Sequence, residues 1–580
     1  MQIYYFRKDR LNMKNKTYLY LNKTGYFLLV FLCVVSLIFT GLLPKLWGYL
    51  IDNLINGNYE YTIKLFSLYF FVSIAFKFSE YMRQYQFSKQ KRILEFNIKK
   101  VLLNNQLNMN YLKFNDINSG EFVSRFHSDV TEISKFWLDT VINVSINFIF
   151  VFIFIVNLYK INKIIALFVI TNSVIITILN KYFKNKFQSQ YSVTRGIADK
   201  YFDSMYETLS SMVAIKVRGL KKITYDRNVK IFSDIKIEET KLMKIKYFSE
   251  FIVSTIPILN IIFSIFIMLP KIINGVYSIG TLMSVLYLLP ILEDKISLII
   301  TSALSYETFK ISNERLNWLI NPNDEDIEHF GKEIVEDINS ISFNDVIYKY
   351  PTSDVHVGPV NFSVSKGGKV ALIGESGSGK TTLFRLLTRL VNPRSGYILV
   401  NDAMNIEELN ETNIRKSIYM VTQESEIFTG SVKENLTKGM KNELEDEKIK
   451  LILERLGLSK FSNHLDYHIT EKGRNISGGE KQRLEIARAI LSDSEIIILD
   501  EPYASVDNES IYYISSMLNY ISKDKIVMLS SHRLDPIKGY DQIILFKNGK
   551  ILDYGTHEEL LRKSDYYNEL LSNERSSDDQ

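Results

Sequence analysis

Hydrophobic residues concentrate in six long runs in the first half of the chain, and no comparable run follows them. Each run is close to the ~20 apolar residues that a membrane-spanning helix needs, although several are shorter, which leaves the helix ends open. A buried core helix would explain one such run but not six. We therefore predict six membrane-spanning helices, at Gly25–Leu43, Ile63–Phe78, Val141–Tyr159, Ile164–Leu179, Phe251–Leu269 and Leu282–Ile300.

The second half of the chain contains shorter apolar stretches that are typical of buried strands, such as Val370–Ile373 and Ile496–Leu499. The polar segment Asn321–Asp326 interrupts the helical pattern and marks the junction between a membrane half and a soluble half. Residues before the first run are explained equally by an interfacial helix and by a disordered tail. The predicted parts are a cytoplasmic segment (1–24), a membrane domain (25–320), a linker (321–340), a soluble domain (341–571) and a polar tail (572–580).

The distribution of charge sets the predicted orientation. Basic residues are frequent before the first run and in segments 79–110 and 181–250, whereas the segments at the opposite ends of the runs carry few. By the positive-inside rule, both termini are predicted to be cytoplasmic. The net charge is +5 although the chain has 70 Lys and Arg. Because the basic segments flank membrane runs, they indicate anchoring to anionic lipid and not nucleic-acid binding.

The single cysteine, Cys33, lies inside the first hydrophobic run. An internal disulfide is therefore excluded, and a catalytic thiol is not expected at such a position. The abundance of Lys, Asn, Ile and Tyr favours a bacterium with an AT-rich genome, which would place the protein in a cytoplasmic membrane.

A glycine-rich loop follows Val370–Ile373 and precedes a predicted helix. Its backbone N–H groups can surround a triphosphate, the Lys380 ammonium can reach the β- and γ-phosphates, and the Thr381 hydroxyl can bind Mg²⁺. The positive end of the helix dipole faces the same anion. The sequence thus predicts a nucleotide-binding site that comprises Gly374, Glu375, Ser376, Gly377, Ser378, Gly379, Lys380, Thr381 and Thr382.

Two carboxylates end the strand predicted at Ile496–Leu499. Asp500 can bind Mg²⁺ through water, and Glu501 can orient and deprotonate the water that attacks a phosphate. A second glycine-containing segment, Ile476–Arg483, opens the predicted helix Leu484–Leu491 and offers another anion-binding helix N-terminus. A single active site would not need both anion sites.

The order of these segments resembles that of the nucleotide-binding domain of ATP-binding-cassette (ABC) transporters. The residues that carry the resemblance are Gly374–Thr381, Gln423, Ile476–Glu480, Asp500, Glu501, Asp507 and His532. In that family two cassettes dimerise head to tail, so that the serine-glycine signature of one closes over the γ-phosphate held by the other. The resemblance therefore implies ATP and Mg²⁺ as cofactors and a second half-transporter chain as partner, with a homodimer favoured over a heterodimer.

The resemblance also implies roles for individual residues. Tyr350 would stack on adenine, Gln423 would contact Mg²⁺ and sense the membrane domain, and Asp507 would link the two sites. The implied catalytic residues are Glu501, His532, Lys380 and Asp507, and the implied Mg²⁺ ligands are Thr381, Gln423 and Asp500. The signature residues that would bind the partner's nucleotide are Ser477, Gly478, Gly479 and Glu480.

Departures from the family pattern are small. Ile476 and Glu480 stand where the family usually has Leu and Gln, and the segment Tyr503–Val506 differs from the common one. None of these changes removes a phosphate ligand or the expected base.

The resemblance extends to the membrane half. Phe114–Arg125 looks like the first intracellular loop of six-helix ABC exporters, and Glu207–Ser211 falls where a second coupling segment is expected. The implied fold is an all-α membrane domain of six helices, followed by an α/β P-loop ATPase domain with helical and antiparallel β subdomains.

Three charged residues interrupt the sixth apolar run, namely Glu293, Asp294 and Lys295, behind a proline at 290 that is expected to distort the helix. Ionisable groups at membrane depth are costly and usually face a partner or an aqueous cavity. Our hypothesis is that they contact a polar or cationic substrate. A local ion pair, or an early end of the apolar zone, is the alternative.

The function implied is ATP-driven export of a peptide, a lipid or an amphipathic drug-like molecule by a dimeric half-transporter. Two alternatives stay open, an importer with an exporter-like membrane half and an ATP-gated sensor or regulator that acts with a partner. The sequence has no N-terminal peptidase segment with Cys and His, so export combined with leader cleavage is not expected.

Overall fold

The computed structural model describes residues 22–115, 122, 125–351, 356–440, 443–504 and 506–578. The chain divides into two compact units. The helical unit contains Met1–Asn108 and Ile117–Asp324, and the α/β unit contains Met109–Asp116 and Glu325–Gln580. The change of unit after Asp324 falls inside the range that we predicted as the linker. Most of the predicted segment 1–24, including its interfacial-helix alternative, lies outside the described residues.

Long helices dominate the first 320 residues. In chain order the helices are α1 (Lys23–Ile55), α2 (Tyr59–Leu107), α3 (Tyr111–Asn115, in the α/β unit), α4 (Val130–Lys135), α5 (Val141–Ile161), α6 (Lys163–Ser210), α7 (Met212–Val217), α8 (Lys221–Ile273) and α9 (Ile279–Ile320). Five-residue π-helical turns at Arg125–Asp129 and Phe136–Thr140 precede and follow α4. Each of the six predicted apolar runs lies within a different long helix, as expected.

Five helical stretches are long and apolar enough to cross a membrane by length and composition, namely α1, α2, Arg125–Ile161 (which ends with α5), Lys163–Thr194 of α6, and α8. The sixth predicted span, α9, is outside that set among the described residues, because Glu293, Asp294 and Lys295 interrupt its apolar part. Pro290 lies inside this helix without ending it.

The surface of the helical unit is apolar along the hydrophobic runs of its helices. Large hydrophobic side chains face outward, such as Phe27 (76% exposed) and Phe266 (74% exposed). A surface of this kind is unfavourable in water and suits a lipid environment.

Inward-facing apolar side chains from α5, α6, α8 and α9 form one core of the helical unit, which includes Phe150, Val169, Met268, Leu289 and Leu292. This core positions the few polar side chains that are buried between the same helices.

The α/β unit contains three sheets within the described residues. Its strands are β1 (Ser340–Lys349), β2 (His356–Ser365), β3 (Lys369–Gly374), β4 (Ser395–Val400), β5 (Met404–Asn405), β6 (Ile418–Val421), β7 (Gly430–Ser431), β8 (His468–Ile469), β9 (Ile496–Leu499), β10 (Ile526–Ser531), β11 (Gln542–Lys547) and β12 (Lys550–Gly555). An antiparallel sheet has the order β2-β1-β4-β5, and β7 pairs with β8. The largest sheet has the order β12-β11-β3-β10-β9-β6, and only its β11–β12 pair is antiparallel.

Helices cover these sheets. They are α10 (Lys380–Leu387), α11 (Glu411–Ser417), α12 (Val432–Thr437), α13 (Asp446–Arg455), α14 (Ser459–Ser462), α15 (Gly478–Leu491), α16 (Asn508–Ile521), α17 (His557–Lys563) and α18 (Asp565–Asp578). The predicted polar tail from Ser572 begins inside α18, where Glu574 accepts hydrogen bonds from the Leu534 N–H at 3.0 Å.

The central strands contain continuous apolar runs because both of their faces are covered. Ala371 and Ile373 of β3 point into one core of the α/β unit, whereas Val370 and Leu372 point into the other. This arrangement explains why the strand appears in the sequence as a continuous apolar run instead of an alternating one.

The parallel pairing aligns the carboxyl ends of four strands. Ile373 of β3 pairs with Ser531 of β10, and Leu499 of β9 pairs with both Leu529 and Val421. Segments that leave these strands therefore emerge at the same edge of the sheet, where ligands of open α/β sheets usually bind.

Candidate functional site

The glycine-rich loop connects β3 to α10 at this edge, as the sequence predicts. Gly379 caps the helix with φ of 110°, a conformation that favours glycine. A Cβ at that position would lie 2.7 Å from the Val357 Cγ2 atom, so the close approach also requires glycine. A cavity of about 420 Å³ adjoins the loop and is lined by His356, Glu375, Ser376, Gly377, Ser378, Lys547 and Asn548.

Lys380 begins α10, and its side chain folds back over the loop. The Nζ atom donates hydrogen bonds to the carbonyl oxygens of Gly374, at 2.7 Å, and of Glu375, at 3.0 Å. Burial lowers the pKa of Lys380, and the charges of Glu501 and Asp500 oppose that shift. The ammonium is thus largely desolvated and directed into the concave side of the loop, where an anion would stabilise it.

Glu501 is the centre of a polar cluster at the carboxyl ends of the strands. Its Oε1 atom lies 2.6 Å from His532 Nε2, and its Oε2 atom accepts a hydrogen bond from Gln423 Nε2 at 3.2 Å. Its backbone has φ of 52°, which is uncommon for a residue with a side chain. The structure therefore brings together three residues that are 78 and 31 positions apart in the sequence (423, 501 and 532).

Ser530 connects the Asp500 carboxylate to the backbone of Glu501. Its hydroxyl donates to Asp500 Oδ1 at 2.6 Å and accepts from the Glu501 N–H at 2.8 Å. These two bonds fix the backbone that turns Glu501 outward while Asp500 stays buried. Our sequence analysis assigned no role to Ser530, although a polar residue at the end of a buried strand, two positions before His532, was a usable signal.

Tyr350 lies beside the helix that follows the loop. Its hydroxyl is 3.3 Å from Thr382 Oγ1 and accepts a hydrogen bond from Arg385 Nη1 at 2.9 Å. The Arg385 guanidinium also lies 5.3 Å from the centre of the Tyr111 ring, in α3. Arg385 is the second residue that sequence reasoning missed, because an arginine inside a helix carries no motif. The adenine-stacking role of Tyr350 stays a prediction.

The signature segment lies at the start of α15, and Ser477 is its N-cap. The Ser477 hydroxyl accepts from the Glu480 N–H at 3.2 Å, and the Glu480 carboxylate accepts from the Ser477 N–H at 2.7 Å. Burial alone would raise the pKa of Glu480, but these bonds and Lys460 hold it below its usual value. The carboxylate that replaces the family's usual Gln therefore completes a capping box.

Asp507 is the N-cap of α16 and accepts a hydrogen bond from the Ser510 N–H at 3.2 Å. Hydrogen bonds from Ser510 lower the pKa of Asp507. In the part of the chain that the structure describes, the hydrogen bonds and ion pairs of Ser477, Glu480 and Asp507 do not reach the phosphate loop. One chain thus brings together the loop, Gln423, Asp500, Glu501 and His532, and leaves the signature apart.

The residues present suit a magnesium nucleotide. The loop offers backbone N–H groups, the Lys380 ammonium and a buried Ser378 hydroxyl that has no hydrogen-bond partner among the described residues. Thr381 and Asp500 contribute oxygen atoms, the donor type that Mg²⁺ prefers, and Gln423 adds an amide oxygen. An unsatisfied buried hydroxyl beside a glycine cradle is the kind of group that a phosphate oxygen would satisfy.

Comparison with known proteins identifies the two units. The family model described as "ABC transporter transmembrane region" matches residues 26–293, and the one described as "ABC transporter" matches residues 357–504. The chain therefore belongs to the ABC transporter superfamily.

Individual relatives agree with this assignment. The chain is 28% identical over 521 residues to a putative export ATP-binding/permease protein of Rickettsia bellii. This alignment covers 85% of this chain and 86% of the relative. It is 31% identical over 383 residues to the lactococcin-G-processing and transport ATP-binding protein LagD of Lactococcus lactis, which covers 64% of this chain and 53% of that protein.

The fold has a solved counterpart. The structure of a bacterial Atm1-family ABC exporter with ATP bound matches with a TM-score of 0.79 and 19% identity, over 95% of this chain and 97% of that one. Its low identity makes it evidence for the fold alone. The chain spans 36% and 53% of the length of two of the curated relatives that it matches.

Proposed function

We propose that the protein is one half of a dimeric ABC exporter, which hydrolyses ATP to move a substrate across the cytoplasmic membrane. The observation that supports this best is the common edge at which the phosphate loop, Asp500, Glu501, Gln423 and His532 meet. A cluster of this kind suits phosphoryl transfer to water, because it combines an anion cradle with a carboxylate base. The membrane helices on the same chain provide the part that hydrolysis would drive.

In this proposal each residue has a distinct task. The loop amides and Lys380 bind the β- and γ-phosphates, and Tyr350 stacks on the adenine. Glu501 accepts a proton from the attacking water, while His532, 2.6 Å from its carboxylate, stabilises the charge that develops on the γ-phosphate. Mg²⁺, held by Thr381, Gln423 and Asp500, would neutralise charge on the phosphate oxygens.

A second chain completes each site. Ser477 and Gly478 are exposed at the N-terminus of α15, and α15 is long enough for its dipole to favour an anion. Because the hydrogen bonds of Ser477 among the described residues do not reach the loop of its own chain, this segment supports closure over the nucleotide of a partner. All the residues needed are present in one sequence, which favours a homodimer over a heterodimer.

Hydrolysis would be coupled to movement through the dimer equilibrium. ATP stabilises the closed pair of cassettes by the contacts that it makes to both chains, and this differential affinity biases the membrane helices between two states. Both termini and the cassette would be cytoplasmic, in a bacterial membrane.

Direction of transport tests the proposal against its alternatives. Inside-out vesicles with the wild-type chain should accumulate cargo when ATP is added outside, and Glu501→Gln vesicles should not. Movement out of the vesicles would indicate an importer. Turnover of ATP without movement of peptide, lipid or drug-like cargo would indicate a sensor or regulator.

A further inference from the structure

Three polar side chains meet between three helices of the helical unit. Asn172 of α6 donates from Nδ2 to Asn260 Oδ1 of α8 at 2.5 Å, and Asn260 Nδ2 donates to Glu293 Oε1 of α9. All three side chains are buried, with 8%, 0% and 5% exposure in that order. The chain therefore holds a carboxyl group at the end of a buried row of amides.

This row lies well inside the apolar part of the helices. The Tyr277 hydroxyl, in the loop between α8 and α9, donates to the Ile161 carbonyl, two residues before the start of α6. The end of α8, the start of α9 and the start of α6 therefore lie on the same side of the bundle. Asn260 and Glu293 each lie roughly 20 Å from that side, at about 1.5 Å per residue along α8 and α9. An apolar layer about 30 Å thick would therefore enclose both residues.

Two buried side-chain oxygen atoms of α8 and α9 have no hydrogen-bond partner among the described residues, namely Ser264 Oγ and Glu293 Oε2. Ser264 follows Asn260 by one helical turn and therefore lies on the same face of α8. The buried side chains of α9 nearest to Glu293 in sequence are apolar, namely Leu289, Leu292 and Ile296. A carboxyl group with one neutral donor in such surroundings lowers the stability of the fold.

The adjacent charges do not offset this cost. Lys295 lies 3.9 Å from Asp294, whose side chain is 66% exposed, and no ion pair of Glu293 occurs in the described part of the chain. The hypothesis that Glu293, Asp294 and Lys295 contact a polar or cationic substrate stays a prediction, and in this conformation only Glu293 is buried between the helices. Asp294 and Lys295 form the local ion pair that we considered as the alternative, and Glu293 has a separate environment.

We propose that Glu293, Asn260 and Ser264 bind the cationic ammonium group of the transported molecule. This inference rests on the proposed transport function and adds a substrate class, amphiphiles with a primary ammonium. An ammonium has three donors, which match Glu293 Oε2, Ser264 Oγ and the Asn260 carbonyl oxygen. Because these atoms are buried here, the cation binds when α8 and α9 move apart, and the apolar chain of the amphiphile then lies along the surrounding core.

Interhelical hydrogen bonds also stabilise membrane bundles without any ligand. Glu293→Gln separates this structural role from the proposed one, because the glutamine oxygen still accepts from Asn260 while the negative charge is lost. Asp294→Asn is the matched control, since it removes an exposed carboxylate one position away on the same helix.

The experiment uses the full chain in lipid nanodiscs and two probes of equal length, dodecylamine and dodecanol. Equilibrium binding of radiolabelled dodecylamine, corrected for empty nanodiscs, should weaken at least tenfold in Glu293→Gln and stay unchanged in Asp294→Asn. The amine should stimulate ATP turnover of the wild type more than the alcohol does, and Glu293→Gln should lose this preference.

Equal binding of dodecylamine by Glu293→Gln and the wild type overturns the inference, whatever the ATPase activity. If the wild type binds the amine but does not turn over ATP, the proposed function is contradicted instead. If Glu293→Gln does not yield a folded dimer, Ser264→Ala decides, since loss of one oxygen ligand should weaken amine binding several-fold. Unchanged binding by Ser264→Ala then overturns the proposed site.

Discussion

The two units of this protein use glutamate in opposite ways. Glu501 of the α/β unit lies at the edge of the sheet, beside His532 and Gln423. Its charge opposes the lowering of the Lys380 pKa by burial. Glu293 of the helical unit is buried among apolar side chains, with one amide as its partner. The comparison teaches that environment, and not residue type, sets the role of a carboxyl group.

Removal of the charge of Glu501 gives the largest expected effect. Glu501→Gln should keep ATP bound, because the loop and Lys380 are intact, but should lower turnover by about 10²- to 10⁴-fold through loss of the general base. Single-turnover phosphate release and binding of a fluorescent ATP analogue measure the two quantities. Glu558→Gln, an exposed glutamate on α17, is the control. Fast ATP turnover by Glu501→Gln would show that Glu501 is not the general base. The contrast with Glu293 would then be wrong.

A substitution of Lys380 tests whether the positive charge near Glu501 binds an anion. Lys380→Ala should weaken ATP binding by roughly 10- to 100-fold, because a charge-assisted hydrogen bond contributes about 1.5–3 kcal/mol. Equilibrium titration with the same analogue measures this affinity, and the exposed Lys523→Ala is the matched change. Equal affinity in the two variants would contradict the role of Lys380.

A substitution of Ser530 tests which contacts orient Glu501, and so sharpens the comparison with Glu293. Ser530→Ala removes both hydrogen bonds that link Asp500 and the Glu501 backbone, and we expect turnover to fall about tenfold. Ser531→Ala also removes a buried hydroxyl, but this hydroxyl bonds only the Arg533 backbone. Both variants should lose about 1–3 kcal/mol of stability. Similar turnover in both would make Ser530 a purely structural residue.

Glu485 offers an intermediate case, in which we expect an effect on stability and none on the chemistry of the site. This α15 residue is buried, and burial raises its pKa to about 7, while Ser425 and Arg488 oppose the shift and Glu426 adds to it. The folded protein therefore keeps a proton that the unfolded chain loses near pH 4.5. The stabilisation from this group is full below that pH and is lost as pH rises to about 7, with a maximum of about 3 kcal/mol.

Thermal unfolding of Glu485→Gln and of the wild type between pH 5 and 8 measures this contribution. The variant should resemble the wild type at pH 5 and should be the more stable of the two at pH 8. A stability difference that does not change with pH would show that Glu485 does not titrate in this range. Glu558→Gln again gives the response of an exposed glutamate.

Local sequence was sufficient where one short segment carries both the structure and the chemistry. The phosphate loop and the strand Ile496–Leu499 lie where they were predicted, because glycine spacing and continuous apolar runs act over a few residues. The helix predicted at Leu484–Leu491 also forms, but it begins earlier, at Gly478. The six long helices were predicted from apolar length in the same way. The ends of these helices were not predicted, because α2 and α6 continue far beyond their apolar runs.

The sequence by itself thus determined the two kinds of unit, the family and the residues that belong to its motifs. Only the tertiary structure decided which distant residues meet: Ser530 between Asp500 and Glu501, and Arg385 between Tyr350 and Tyr111. It also separated Glu293 from Asp294 and Lys295 and joined it to Asn260 and Asn172. The physical reason is that hydrogen bonds and burial depend on which faces of different helices and strands pack together, and that packing is set by the whole chain and not by local spacing.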